Sequence, residues 1–308
     1  MAWNVFKLCT GLKVVGSLMI LVVLSVVGLS YYAVVVANYV PQVWKGASAT
    51  ATALLVLILF HFLLAMLLWS YFAVVFTDPG GVPQGWKPSS CEDDLEAQSL
   101  PLDPTPTTTT VPVSLSTMAQ SANVRYCRKC CQFKPPRCHH CSVCGRCILK
   151  MDHHCIWVVT CVGARNYKFF LLFLLYTFLE TTLVTVALLP QFVAIFDNIE
   201  EDSSFPSVLA TTILAFVLNL AFALSVLGFL IMHMSLVAGN TTTIEAYEKK
   251  ASTRWRFDLG RKRNFEQVFG MRRIYWFLPL YTEDDLRRMT VLQGLDYPLR
   301  SDNDSQEL

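Results

Sequence analysis

The sequence predicts an α-helical integral membrane fold: four transmembrane helices, with a cysteine-rich cytosolic domain set between helices 2 and 3. Three observations carry this. The 308-residue chain is 54% hydrophobic and only 16% charged, against about 25% charge in an ordinary soluble protein. Four stretches are long and apolar enough to cross a bilayer. One short block, Cys127–Cys161, concentrates nine of the 11 cysteines together with four histidines.

The four stretches are Val14–Val40, Ala51–Phe76, Phe169–Phe196 and Val208–Val237. Each exceeds the roughly 20 residues needed to cross about 30 Å of hydrocarbon. The first two contain no Asp, Glu, Lys or Arg, and the last two carry only Glu180 and His233 as ionisable residues of note. Orientation follows from Lys and Arg, which are retained on the cytosolic side. Two lie before the first span, ten in segment 77–168 and twelve after Val237, against one in the short loop around Lys45 and none in the acidic loop "DNIEEDSSFP". Both termini and the middle segment are therefore expected in the cytosol. Val14–Val40 lacks a small-residue cleavage pattern and reads as a span rather than a signal peptide. The N-x-[ST] patterns at Asn240 and Asn303 then face the cytosol and are expected to stay unglycosylated. The basic run Arg261–Arg263 sets topology and suits anionic headgroups or a phosphate-bearing ligand.

The first hairpin (1–76) is followed by a linker (77–122). It opens on "TDPGGVP", which stops the helix, and runs into the Thr- and Pro-rich "PLDPTPTTTTVPVSLST". Such composition buries too little apolar surface to fold alone. The cysteine-rich domain spans 123–168, the second hairpin 169–237 and a cytosolic tail 238–308. In the cytosol, disulfides are disfavoured and clustered cysteines read as metal ligands. Three C-x-x-C pairs, Cys127/Cys130, Cys141/Cys144 and Cys144/Cys147, have the spacing of zinc knuckles. Two closed tetrahedral zinc sites use eight of the available Cys and His side chains. Spacing alone does not say which remain free.

At Asp152-His153-His154-Cys155 the chain resembles the DHHC family of protein S-acyltransferases, or palmitoyltransferases. The likeness covers Cys127 and Cys130, "KPPR" at Lys134–Arg137, "HC" at His140–Cys141, then Cys144, Cys147, Cys161, Asn166 and Phe170. It extends to "DPG" at Asp78–Gly80, "TTIE" at Thr242–Glu245 and "NFEQVFG" at Asn264–Gly270, with the flavour of the plant members. The resemblance implies one zinc site at Cys127, Cys130, His140 and Cys147, and another at Cys141, Cys144, His154 and Cys161. It also implies Cys155 as nucleophile, His153 as its base and Asp152 as the group orienting that base. Thr242, Thr243, Glu245 and Asn264 are supporting residues, tying the exit of the fourth span to the catalytic block or capping a helix there.

The chemistry suits these residue types. A thiol of pKa about 8.5 becomes reactive when a neighbouring imidazole takes its proton, and an acidic neighbour stabilises the resulting imidazolium. Transfer between thioesters is close to thermoneutral, so the expected co-substrate is acyl-CoA, palmitoyl-CoA above all, with no ATP or redox cofactor. Expected partners are cytosolic or membrane-tethered proteins with accessible cysteines and membrane lipids, not nucleic acid. The family is often found at Golgi and endosomal membranes. The rival reading is a membrane-anchored zinc adaptor or an impaired pseudoenzyme. This copy departs from the family where "DHHCPW" and "NNC" are usual. It has Ile156, which loosens the loop presenting Cys155, and "VVTC" at Val158–Cys161. Glu180 is expected either at the floor of an acyl cavity or as a paired structural carboxyl. His233 is expected as a snorkelling or packed residue rather than a catalytic one, and His61 as a hydrogen-bonding link between helices. Cys131, Cys138, His139 and Cys9 are expected to stand outside the chemistry.

Overall fold

The computed structural model describes residues 6–88, 125–197, 206–248 and 255–300. Expectations for linker residues 89–122, most of the acidic loop, the side chain of Cys9 and Asn303 lie outside the described residues. Within them, α1 (Phe6–Tyr31), α2 (Ala47–Phe76), α3 (Tyr167–Asp197) and α4 (Pro206–Ala238) are the long apolar helices. Four candidate spans result, Leu18–Trp44, which runs on past the end of α1, Ala47–Phe76, Tyr167–Ala194 and Ser207–Ala238. Helix is the form these sequences take because hydrocarbon offers no partner to an open backbone N–H or C=O. The third span is 56% buried against 22% for each of the others, so it is the central post on which they pack.

The first span is not one regular α-helix. It widens into a π-helical stretch, Tyr32–Tyr39, then tightens into a 3₁₀ segment, Val40–Trp44. Pro41 explains this: it has no N–H to give, and its ring would strike the carbonyl one turn back. The ladder therefore shifts register before it, with Val40 N–H donating to Val35 C=O. Asn38 Nδ2 donates to Ala33 C=O at 2.7 Å and to Thr212 Oγ1 of α4 at 3.2 Å.

Between α2 and α3 lie three two-stranded antiparallel hairpins: β1 (Tyr126–Cys127) with β2 (Gln132–Phe133), β3 (His139–Cys141) with β4 (Arg146–Ile148), and β5 (His153–Cys155) with β6 (Thr160–Val162). They are one unit repeated. Cys127 faces Gln132, Cys141 faces Arg146 and Cys155 faces Thr160. Each turn holds one left-handed residue at the same place: Cys131 at φ 52°, Gly145 at 68° and Val159 at 58°.

After α4 the chain forms α5 (Thr243–Glu248), α6 (Arg261–Phe269), a 3₁₀ turn (Arg273–Tyr275), α7 (Glu283–Arg288) and α8 (Thr290–Gln293). This tail is bolted to the hairpins through buried Arg137. Its Nη2 and Nε each donate at 2.7 Å to the Glu245 carboxylate, and Nη1 donates to Asn240 Oδ1 at 3.0 Å. The guanidinium also lies 4.7 Å from the Phe257 ring centre and 5.1 Å from that of Tyr297. Removing one partner of such a buried pair strands the other charge. Arg137→Met is expected to lower unfolding stability by about 3–5 kcal/mol, seen as an earlier melting transition in nanodiscs. Pairing it with Glu245→Leu should recover part of that loss.

Candidate active site and metal centres

The repeated hairpins decide how the thiols are used. Each turn presents two side chains as a knuckle, and the next hairpin supplies a histidine and a cysteine facing each other across its strands. Thus Cys127 and Cys130 meet His140 and Cys147, and Cys141 and Cys144 meet His154 and Cys161, with the ligand atoms of each set within 4.8 Å of one another. His140 pairs with Cys147 and His154 with Cys161 in the strand registers. Sulfur to Nδ1 distances are 3.6 and 3.1 Å in the first cluster and 3.4 to 3.7 Å in the second. A tetrahedral zinc with bonds of about 2.3 Å to sulfur and 2.0–2.1 Å to nitrogen needs edges of roughly 3.5–3.8 Å. Both donor sets therefore fit zinc, and an ion held in either would cross-link two hairpins.

The third knuckle is incomplete: where Cys130 and Cys144 stand in the first two, it has Val158, and no fourth hairpin follows among the described residues. Cys155, the counterpart of Cys127 and Cys141, is left as a buried free thiol. The turn still aims its amides at the sulfur. In the second knuckle Cys144 N–H donates to Cys141 Sγ at 3.3 Å; in the third, Val158 and Trp157 N–H groups donate to Cys155.

His153 Nδ1 donates to Asp152 Oδ2 at 2.7 Å, which leaves the other ring nitrogen for the Cys155 thiol. Asp152 is buried, and its Oδ1 accepts from Thr243 N–H at 3.0 Å. Thr243 Oγ1 also donates to the Asp152 backbone carbonyl at 2.5 Å. Burial alone would make His153 less basic, but its bonds to Asp152 and Cys155 outweigh that and push its pKa up to about 9. Burial likewise raises the Cys155 thiol. The hydrogen bond and charge of His153, with the two knuckle amides, bring it below the ordinary thiol value. Burial opposes ionisation of Asp152 too, yet the His153 contact holds it below its usual range. Together these favour a thiolate–imidazolium pair.

Other side chains hold this arrangement. Phe170 packs edge-on against His153, ring centres 5.2 Å apart. Tyr71 OH of α2 donates to Trp157 C=O at 3.0 Å. Buried Asn166 accepts from Gly163 N–H and donates to Cys161 C=O, both at 2.9 Å. Thr242 and Glu245 cap α5 reciprocally, Thr242 N–H to Glu245 Oε2 at 2.9 Å and Glu245 N–H to Thr242 Oγ1 at 3.2 Å. Asn264 Nδ2 donates at 2.7 Å to Ala238 C=O, the last residue of α4. Capping and tethering thus coexist in "TTIE".

Cys155 opens onto a cavity of about 710 Å³ between the spans, lined by Val26, Leu67, Phe173, Phe222, Val226 and Phe229 among others. Glu180 is on its lining, and neither carboxyl oxygen has a hydrogen-bond partner among the described residues, so the paired structural alternative is not seen. His233 is packed, as expected of it, but against the dyad itself. Its ring lies 5.8 Å from that of His153, and its Nδ1 is 3.2 Å from Tyr167 OH. His61 meets a neighbouring helix by ring packing rather than by the expected hydrogen bond: its Nδ1 bonds Leu57 C=O of its own helix at 2.7 Å, and its ring lies edge-on to Tyr31 of α1, centres 5.7 Å apart. Cys131 is exposed, and Cys138 is fully buried, its pKa pushed up to about 11 by that burial.

A helical membrane protein with a histidine-paired thiol at the mouth of an apolar intramembrane cavity is built for acyl chemistry. Residues 120–250 match the model of the DHHC palmitoyltransferase domain. The chain is 65% identical over 306 residues to "Probable protein S-acyltransferase 14" of Arabidopsis thaliana, covering 99% of this chain and 98% of the relative. It is 58% identical over 312 residues to "Probable protein S-acyltransferase 13" of the same plant, covering 100% and 99%. With human "Palmitoyltransferase ZDHHC20" it shares 34% identity over 316 residues, covering 96% and 81%. The chain belongs to the DHHC palmitoyltransferase family.

Two outcomes are expected from this geometry. Asp152→Asn should move the midpoint of Cys155 alkylation by iodoacetamide upward by about one pH unit or more, because the imidazolium loses its counter-charge. Val159, a β-branched residue held at φ 58°, sits where asparagine is tolerated. Val159→Asn should raise stability by about 1 kcal/mol, read as a higher melting temperature with zinc content unchanged.

Proposed function

We propose that this protein transfers a long-chain acyl group, palmitoyl in the first instance, from acyl-CoA through a Cys155 thioester to cysteines of target proteins. The observation that carries the reading is the lone knuckle thiol, paired with His153 and opening into the apolar cavity.

In the first half-reaction His153 takes the Cys155 proton and the thiolate attacks the acyl-CoA carbonyl. A new carbon–sulfur bond forms at Cys155, the bond to CoA breaks, and the departing CoA thiolate takes the proton from His153. In the second, a substrate cysteine gives its proton to His153, attacks the Cys155 thioester and carries the acyl group away. Cys155 leaves as a thiolate and is reprotonated. Asp152 keeps the imidazolium oriented and compensated throughout. The amides of Val158 and Trp157 stabilise the sulfur each time it is anionic.

The cavity answers the acyl chain's solvation. A sixteen-carbon chain loses about 12 kcal/mol if returned to water, at about 0.8 kcal/mol per methylene. From Phe170, beside His153, to Thr181 on the cavity wall, α3 rises about 16 Å. That is close to half of a hydrocarbon core about 30 Å thick, the depth of one leaflet.

The clusters Cys127, Cys130, His140, Cys147 and Cys141, Cys144, His154, Cys161 are read as two structural zinc sites that hold Cys155 in place. Thr243 positions Asp152, and Thr242, Glu245 and Asn264 fix the segment carrying it. The Lys and Arg distribution supports cytosolic termini, and hence a Cys155 that meets acyl-CoA and proteins from the cytosol. Golgi or endosomal membrane is the proposed compartment.

Incubated with labelled palmitoyl-CoA, the purified protein should acquire a hydroxylamine-sensitive label. Cys155→Ser should abolish it while about two zinc ions per chain remain. Persistence of label in that variant overturns the nucleophile, and absence of label in the unaltered protein favours a zinc adaptor.

A further inference from the structure

The tail segment Met271–Leu280 turns back between the spans. Tyr176 OH of α3 donates to Phe277 C=O at 2.6 Å, and Lys168 Nζ donates to Tyr275 C=O at 2.9 Å and Leu280 C=O at 2.7 Å. Leu278 packs against Met66 and Leu67 of α2 and Leu172 and Tyr176 of α3.

Those contacts fix a depth. Tyr176 lies about 14 Å along α3 from Tyr167, and Leu67 lies about 14 Å along α2 from Phe76. Both distances run inward from the same end of the bundle. The spans Ala47–Phe76 and Tyr167–Ala194, of 30 and 28 residues, are about 45 and 42 Å long. They exceed a core of about 30 Å by roughly 6–8 Å at each end when centred in it. Leu278 therefore reaches about 6–8 Å inside the hydrocarbon, while Lys168, about 1.5 Å along α3 from Tyr167, holds the flanking Tyr275 and Leu280 carbonyls near its boundary.

Irregular backbone at that depth needs protein partners for its polar groups, and the carbonyls of Tyr275, Phe277 and Leu280 have them. Besides the three side-chain bonds, Leu278 N–H donates to Tyr275 C=O and Leu280 N–H to Leu278 C=O. The Trp276 indole donates to Gly270 C=O at 2.9 Å. Yet the apolar side chains point outward: Ile274 is 79% exposed, Phe277 62% and Met271 61%. Arg272 and Arg273 are exposed among them. Arg272 meets Asp284 only at 3.5 Å, and the Arg273 guanidinium lies 5.8 Å from the Trp276 ring centre.

We infer that Met271–Leu280 is a lipid-binding wedge in the leaflet at the Cys155 end of the spans. Phe277 stands among acyl chains, Ile274 lies at their boundary with the headgroups, and Arg272 and Arg273 reach up to anionic headgroups. Long basic side chains bury their stems in apolar surroundings while keeping the charge at the interface. The inference rests on the four spans and is independent of acyl transfer.

The test uses the full chain in nanodiscs of phosphatidylcholine, with and without phosphatidylserine. A photoreactive side chain is placed singly as Ile274→p-benzoylphenylalanine, Phe277→p-benzoylphenylalanine or, as a control, Leu299→p-benzoylphenylalanine. Leu299 is 57% exposed in the same tail, next to Arg300, whose N–H donates to Arg256 C=O. Irradiation should give phospholipid adducts at 274 and 277, several-fold above the control by mass spectrometry. In an Arg272→Gln/Arg273→Gln background the share of phosphatidylserine among them should fall. Adducts at 274 and 277 no more frequent than at 299, or only water and intraprotein products there, overturn the wedge. An indifferent phosphatidylserine share overturns the role of the arginines. Thioester formation at Cys155, assayed on the same samples, reports separately on the acyl-transfer reading.

Discussion

Everything at the site depends on a buried carboxylate, that of Asp152. An anion removed from water must be met by donors or charge, and Asp152 is met from two parts of the chain. His153 donates from the adjacent position, and Thr243 donates from the far end of the fourth span. Satisfying Asp152 therefore fixes where α4 ends. Thr243 in turn opens the short helix whose Glu245 holds Arg137, and Arg137 belongs to the loop leading into the second hairpin. One desolvated charge and its necessary partners thus close a ring through hairpins, span and tail. The Arg137 pair adds a second point of closure, between residues 108 apart in sequence.

The repeated hairpin gives the lone Cys155 thiol a structural origin. A knuckle turn directs backbone N–H groups at its first sulfur, which steadies a thiolate whether or not a metal is bound. The first two turns feed complete donor sets. The third keeps the same shape and the same amide geometry but offers Val158 where a second sulfur would be. Cys155 therefore inherits a thiolate-stabilising turn and no partner ligand. Its histidine is likewise the counterpart of His139, while the next residue, His154, belongs to the second cluster. Along this strand His154 turns to the second donor cluster while His153 and Cys155 pair on the other face, because successive strand residues point to opposite faces.

The bilayer shapes what surrounds this centre. An apolar cavity costs little to keep open among helices already solvated by hydrocarbon, and its depth matches one leaflet. The tail follows the same constraint in reverse: its irregular turns enter the bundle only where Tyr176 and Lys168 cover their carbonyls.

Much of this was legible in the residues. Length and apolarity alone determined the four spans, because crossing a fixed thickness without charge leaves few alternatives. Cysteine and histidine density determined that donor sets suited to metal would lie between the second and third spans. Two further signals lay in the sequence unread. The spacing of Cys127, Cys130, His140 and Cys147 recurs in Cys141, Cys144, His154 and Cys161, which separates the clusters and leaves Cys155 over. Pro41 marks the break in the first span's ladder. What only the tertiary structure decided were contacts whose partners are far apart in the chain. Among them are Arg137 with Glu245, Thr243 with Asp152, His233 beside His153, and Lys168 with the 275–280 turn. No local pattern encodes these, since a buried polar group needs a partner but its own sequence does not say which. That choice is made when the helices and hairpins pack.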